Sequence, residues 1–121
     1  MLIENLLFRP ENLAHEDERR AIYELNCPKE GFSLQGFVVK AANLPLGKHA
    51  HERKHELFKI LEGEGGIVFT CPINGKGEMS PSDADATNVS RGSIIHVRNF
   101  TAHTFYLTPG SRMICFSTAP F

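Results

Sequence analysis

A dominant sign of charge is what this sequence most clearly lacks. Thirteen Lys and Arg stand against fourteen Asp and Glu, a formal net charge of −1 over 121 residues. That leaves no basic footprint for nucleic acid and no polybasic segment for a membrane surface. Paired cysteines are also missing. Cys27, Cys71 and Cys115 are an odd number, widely spaced, with no CxxC, which argues against a disulfide framework or a zinc knuckle and for reduced, mostly buried thiols. No apolar run approaches the roughly 18 residues of a membrane span. The opening "MLIENLLFRPEN" carries Glu4 in its apolar run, with no basic region before it and no small-residue cleavage site after it. A soluble cytoplasmic protein is the expectation. Internal repeats and low-complexity linkers are absent too, and 121 residues suit one compact domain, residues 1–121, better than two.

What is present is the rhythm of an all-β protein. A hydrophobic fraction of 41% against 22% charged residues is that of a globular chain. The apolar stretches are short and separated by turn signals, as in a sandwich or barrel. "AIYEL" (21–25), "FSLQGFVVKAA" (32–42), "ELFKIL", "GIVFTC", "SIIHV" (93–97), "HTFYL" (103–107) and "RMICFS" (112–117) read as strands. Gly36 marks a bulge or a close approach within its strand, and Gly63, Gly65 and Gly66 supply a bend. Residues 1–30 form an N-terminal arm with the first strands. Only "NLAHEDERRAIYEL" competes as a helix, and its apolar spacing is poor. Residues 72–91, "PINGKGEMSPSDADATNVSR", are nearly empty of large apolar side chains. They read as a long surface loop with one weak strand near 87–89, either a solvated excursion or a lid over a pocket.

The chemistry concentrates in "GKHAHERKHE" (47–56), which holds three of the six histidines. Strand alternation puts His49 and His51 on one face. With a turn or bulge at "ERK", Glu56 faces inward with Phe58 and Ile60 while Lys59 reaches water. His55 then lies on the other face, a neighbour of the ligands and not one of them. In "RGSIIHVRNFTAHTFYL" the same alternation groups His103 with Phe105 and Leu107, which sends one histidine into an apolar interior. Together, His49, His51, Glu56 and His103 make a four-ligand set of neutral imidazoles and one carboxylate, suited to a divalent ion. The same residues also admit an exposed polar turn and a satisfied core histidine. His96 is expected to face outward, His15 to be solvated and Tyr106 to point away from His103.

"HAHERKHELFKILEG" resembles the first motif of the cupin superfamily: His-x-His, three or four residues, Glu, six residues, Gly. His49, His51, Glu56 and Gly63 fill its fixed positions. The second motif runs Gly, five residues, Pro-x-Gly, two residues, His, three residues, Asn. Gly92 and His103 match it, whereas Arg98, Phe100 and Leu107 stand where proline, glycine and asparagine are usual. The resemblance covers residues 44–117 and implies a double-stranded β-helix, a jelly-roll barrel. It further implies a metal inside one end and, in many members, a homodimer. Iron, manganese, nickel and zinc suit the ligand set nearly alike. Phe58 and Phe105 would line the pocket, with Arg98 or Phe100 at its mouth. The implied function is a small metal-binding cupin that binds or transforms a small polar metabolite, a sugar or a carboxylic acid. No catalytic residue is singled out, and the fold leaves open a metal-dependent oxygenase or isomerase and a non-catalytic binding module. A weaker resemblance links "GKHAHERKHE" to the cupin-like sugar-nucleotide 3,4-ketoisomerases, whose histidines shuttle protons without metal. Those enzymes usually carry glutamine where this chain has Glu56. For the apolar arm "MLIENLLF", a partner subunit's surface and its own domain are equally suitable cover.

Overall fold

In the computed structural model, residues 6–41, 46–49 and 55–118 are described, with 46–49 defined by backbone alone. Among the described residues ten strands follow one another: β1 (Leu13–Glu16), β2 (Arg20–Cys27), β3 (Phe32–Val39), β4 (Leu46–His49), β5 (Glu56–Glu62), β6 (Gly66–Pro72), β7 (Asp85–Val89), β8 (Ile94–Val97), β9 (Thr101–Leu107) and β10 (Arg112–Ser117). They form a six-stranded sheet in the order β1-β2-β3-β10-β5-β8 and a four-stranded sheet in the order β4-β9-β6-β7. The pairings within both sheets are antiparallel. Such a strand order, in which the chain from β3 onward crosses repeatedly between the two sheets, is a jelly roll, and the all-β expectation holds. No helix among the described residues is long and apolar enough to cross a membrane.

Alternation does the sorting. Along β5, Glu56, Phe58 and Ile60 are buried while Leu57 and Lys59 are exposed. Along β9, His103, Phe105 and Leu107 are buried, and Tyr106 points the other way. From β10 come Met113 and Cys115, from β3 Val39, from β6 Val68 and from β8 Val97, which close one apolar core between the sheets. Each large side chain so buried contributes about 1.5–3 kcal/mol to the fold.

Three segments needed the structure. The stretch that competed as a helix is instead the β1–β2 hairpin, with His15 paired opposite Ile22. Asp17 fixes its turn: Oδ1 accepts the backbone N–H groups of Arg19 and Arg20 at 2.8 and 3.0 Å. Gly36 is a close approach. A Cβ there would lie 2.6 Å from the Phe8 ring and 2.8 Å from Leu7, so the arm packs on the outer face of β3. Leu7 is fully buried by this, whereas Leu6 stays exposed; for Leu7 and Phe8, then, the chain's own sheet provides the cover. In the 72–91 excursion, Asn74 Oδ1 accepts the N–H groups of Lys76 and Glu78 in a tight turn, and Ile73 bridges to Met79. The strand that follows is longer than 87–89, reaching from Asp85 to Val89.

Candidate metal centre

Glu56 opens β5 in the large sheet, and His103 lies within β9 in the small one. The two sheet faces bring them together inside the barrel. Glu56 is 3% exposed, His103 2% exposed, and His103 Nε2 lies 3.2 Å from Glu56 Oε1. The surroundings are apolar: the Phe58 ring is 5.7 Å from the His103 ring, and the Phe105 ring 6.2 Å from it. Burying a carboxylate and an imidazole among phenyl rings costs several kcal/mol unless something compensates them.

The hydrogen bond on the far side of the ring defines that compensation. His103 Nδ1 is 3.3 Å from the carbonyl oxygen of Thr101. A carbonyl only accepts, so Nδ1 carries the proton, and in the neutral ring Nε2 presents a lone pair. Two acceptors, Nε2 and Oε1, then meet at 3.2 Å, a separation that calls for a positive charge between them. Two donors at roughly 2.1 Å from one ion, at angles between octahedral and tetrahedral, are about 3.0–3.4 Å apart. The pair therefore fits a shared divalent cation, and it equally fits a shared proton.

The remaining predicted ligands are placed less fully. The backbone register sets His49 directly opposite His103 in the β4–β9 pairing, which brings the two motifs side by side. The side chain of His49 and all of His51 lie outside the described residues. Among the described residues, no group of three or more His, Cys, Asp and Glu side chains is arranged to hold a metal ion.

Of the other predicted site residues, Phe58 and Phe105 pack 4.8 Å apart, centroid to centroid, as the apolar wall beside His103. Arg98 and Phe100 sit exposed on the β8–β9 turn. His55 is turned toward His96, with ring centroids 5.7 Å apart. Its backbone exchanges hydrogen bonds with Thr118, at 3.2 Å to Oγ1 and 3.1 Å from the N–H. His96 is exposed, as alternation required. Cys115 is a residue that sequence reasoning left among the generic buried thiols. Its Sγ lies 3.5 Å from Glu56 Oε2 and 3.6 Å from Ser117 Oγ. No spacing rule links residues 56 and 115; only the β5–β10 pairing does.

No family model matches the sequence, and no curated protein matches it. Solved structures do. An RmlC-like cupin protein from Desulfovibrio desulfuricans is 18% identical, covers 94% of this chain and 95% of its own, and superposes with a TM-score of 0.62. Ectoine synthase from P. lautus is 18% identical over 97% of this chain and 75% of its own, with a TM-score of 0.67. The capsular polysaccharide assembling protein CapF from Staphylococcus aureus is 21% identical over 94% of this chain, with a TM-score of 0.66, and the chain spans about a third of its length (30%). At these identities the likeness is one of architecture. Strand order and structural neighbours agree on it: the chain has the cupin fold, a double-stranded β-helix.

Proposed function

We propose that this chain is a small metal-binding cupin. His49, His51, Glu56 and His103 hold one divalent ion inside the barrel, and a small polar metabolite, a sugar or a carboxylic acid, binds beside it. The observation that carries this reading is the convergence of His103 Nε2 and Glu56 Oε1, both nearly inaccessible, at 3.2 Å. Buried groups of this kind weaken a fold, so their presence points to a task. The register of His49 against His103 adds support. A divalent ion bound there would supply Lewis acidity and exchangeable coordination positions. The chain's own contribution is to orient the ligands and keep water out. Thr101 fixes the His103 ring, and Phe58 and Phe105 wall the site. Three imidazoles and a carboxylate serve iron, manganese, nickel and zinc nearly alike. The chain acts as a homodimer joined through the outer face of its large sheet.

A second reading uses the same contact. A proton shared between His103 and Glu56 is an acid–base pair suited to ketoisomerase chemistry on a sugar nucleotide. Metal analysis of protein purified without added metal separates the two. The metal reading expects about one ion per chain, lost in His103→Ala and His49→Ala. A wild-type content near zero, with chelator-resistant proton exchange into a 4-keto sugar nucleotide, would replace it with the isomerase.

A further inference from the structure

We infer that Cys115 is a positioning residue of this site, whose thiol holds the Glu56 carboxylate with one oxygen turned to the ion. The inference rests on the metal-binding reading above. Cys115 and Ser117 are fully buried on the inward face of β10. In the register Ser117 stands opposite Glu56, and Cys115 opposite Phe58. This brings Sγ to 3.5 Å from Oε2, while Oε1 lies 3.2 Å from His103 Nε2. The two carboxylate oxygens are therefore treated differently. Oε2 accepts the S–H, and Oε1 is presented to the ligand side. A side chain with free rotation would offer either oxygen or both; the thiol selects one. Ser117 Oγ, 3.6 Å from Sγ, extends the chain of polar contacts beyond the thiol. Partners that orient a metal-bound carboxylate in this way typically cost about 10- to 100-fold in metal affinity when removed.

Plain packing is the competing account, since a buried thiol behaves as a small hydrophobe. Substitutions distinguish the two. Cys115→Val preserves bulk and removes the donor; Cys115→Ser preserves a donor. Cobalt(II) is the probe, read by calorimetry for affinity and by absorption for the ligand set, on the whole chain with folding checked by circular dichroism. The expected result is a wild-type cobalt spectrum without a thiolate-to-cobalt charge-transfer band. Cys115→Val should then bind about 10- to 100-fold more weakly, and Cys115→Ser should recover most of the loss. If Cys115→Val does not fold, Cys115→Ala takes its place. Unchanged affinity in the donor-free variant overturns the positioning role, as does equal weakening by Cys115→Ser. A charge-transfer band in the wild type overturns it differently, by making Cys115 a ligand. A wild-type chain that takes up no cobalt refutes the metal reading itself, and this assignment with it.

Discussion

Phe100 occupies a left-handed backbone conformation, φ +57°, the one such non-glycine among the described residues. In the cupin motif this position is usually glycine, and the turn has kept glycine's conformation without keeping glycine. Its carbonyl is held by the N–H of Ile73 at 2.8 Å, which fixes the strained residue in place. An L-residue there costs about 1–2 kcal/mol, against about 0.5–1 kcal/mol for glycine's extra freedom when unfolded. Phe100→Gly should thus leave stability unchanged or raise it by up to about 1.5 kcal/mol in urea unfolding; a clear loss would show that the ring supplies contacts worth the strain. Under the proposed metal-binding function, Glu56 makes the opposite case, a residue that suits the ion better than the fold. Glutamine is its near-isostere, and its amide N–H can donate to His103 Nε2 where the carboxylate oxygen cannot. Glu56→Gln should abolish metal uptake, yet melt at or above the wild-type temperature when both are stripped of metal. A destabilisation beyond about 1 kcal/mol would mean that a protonated His103 already stabilises the pair as an ion pair.

At the level of elements, the β1–β2 hairpin, where a helix was only the competing reading, carries its own pH signature. The ring nitrogen of His15, 2.9 Å from Asp17 Oδ2, and the backbone N–H of Arg19 hold the Asp17 carboxyl well below the usual carboxylate range. The folded value lies below the unfolded one. The turn's contribution is therefore complete above the ordinary carboxylate value and is lost only as pH falls through the depressed one. An NMR titration of Asp17 should give a midpoint below that of an ordinary carboxylate, and an ordinary midpoint would count against these contacts in the turn. The glycine that follows β5 behaves as strictly. Gly63 has φ +114°, and a Cβ would fall 2.2 Å from Ser111 Oγ and 2.8 Å from Ser111 Cα. Gly63→Ala should cost about 1–3 kcal/mol, measured by thermal or urea unfolding. Much of this was legible in advance. Period-two alternation placed Glu56 with Phe58 and Ile60, and His103 with Phe105 and Leu107, because each strand has one apolar side. What the sequence hid was of another kind. The β1–β2 turn depends on side-chain oxygens capping backbone groups, which leaves no apolar period. Cys115 meets Glu56 through a strand pairing that no local pattern encodes.

Across the whole molecule, the outer face of the large sheet carries a row of apolar side chains in direct register. Leu25 stands opposite Leu34, Leu34 opposite Phe116, and Phe116 opposite Leu57. Phe32 packs against Phe116 with ring centroids 5.3 Å apart. Farther along the sheet the same face is already covered, since Phe8 lies over Gly36, against Tyr23 and beneath Arg112. The row is left bare, with Phe116 41% and Leu57 44% exposed. A straight apolar row on a twisted sheet can match its own copy across a two-fold axis, with each row laid over the other. That is why the proposed occupant is a second copy of this chain. Sedimentation velocity should find a dimer at micromolar concentration, and Leu57→Asp combined with Phe116→Glu should make it monomeric. Both positions point out of the barrel, so the doubly substituted chain should keep its fold and its metal content. A wild-type chain that stays monomeric at high concentration would end the dimer proposal. If the substituted monomer lost its metal, the ion site would depend on assembly, even though Glu56 and His103 meet within one barrel.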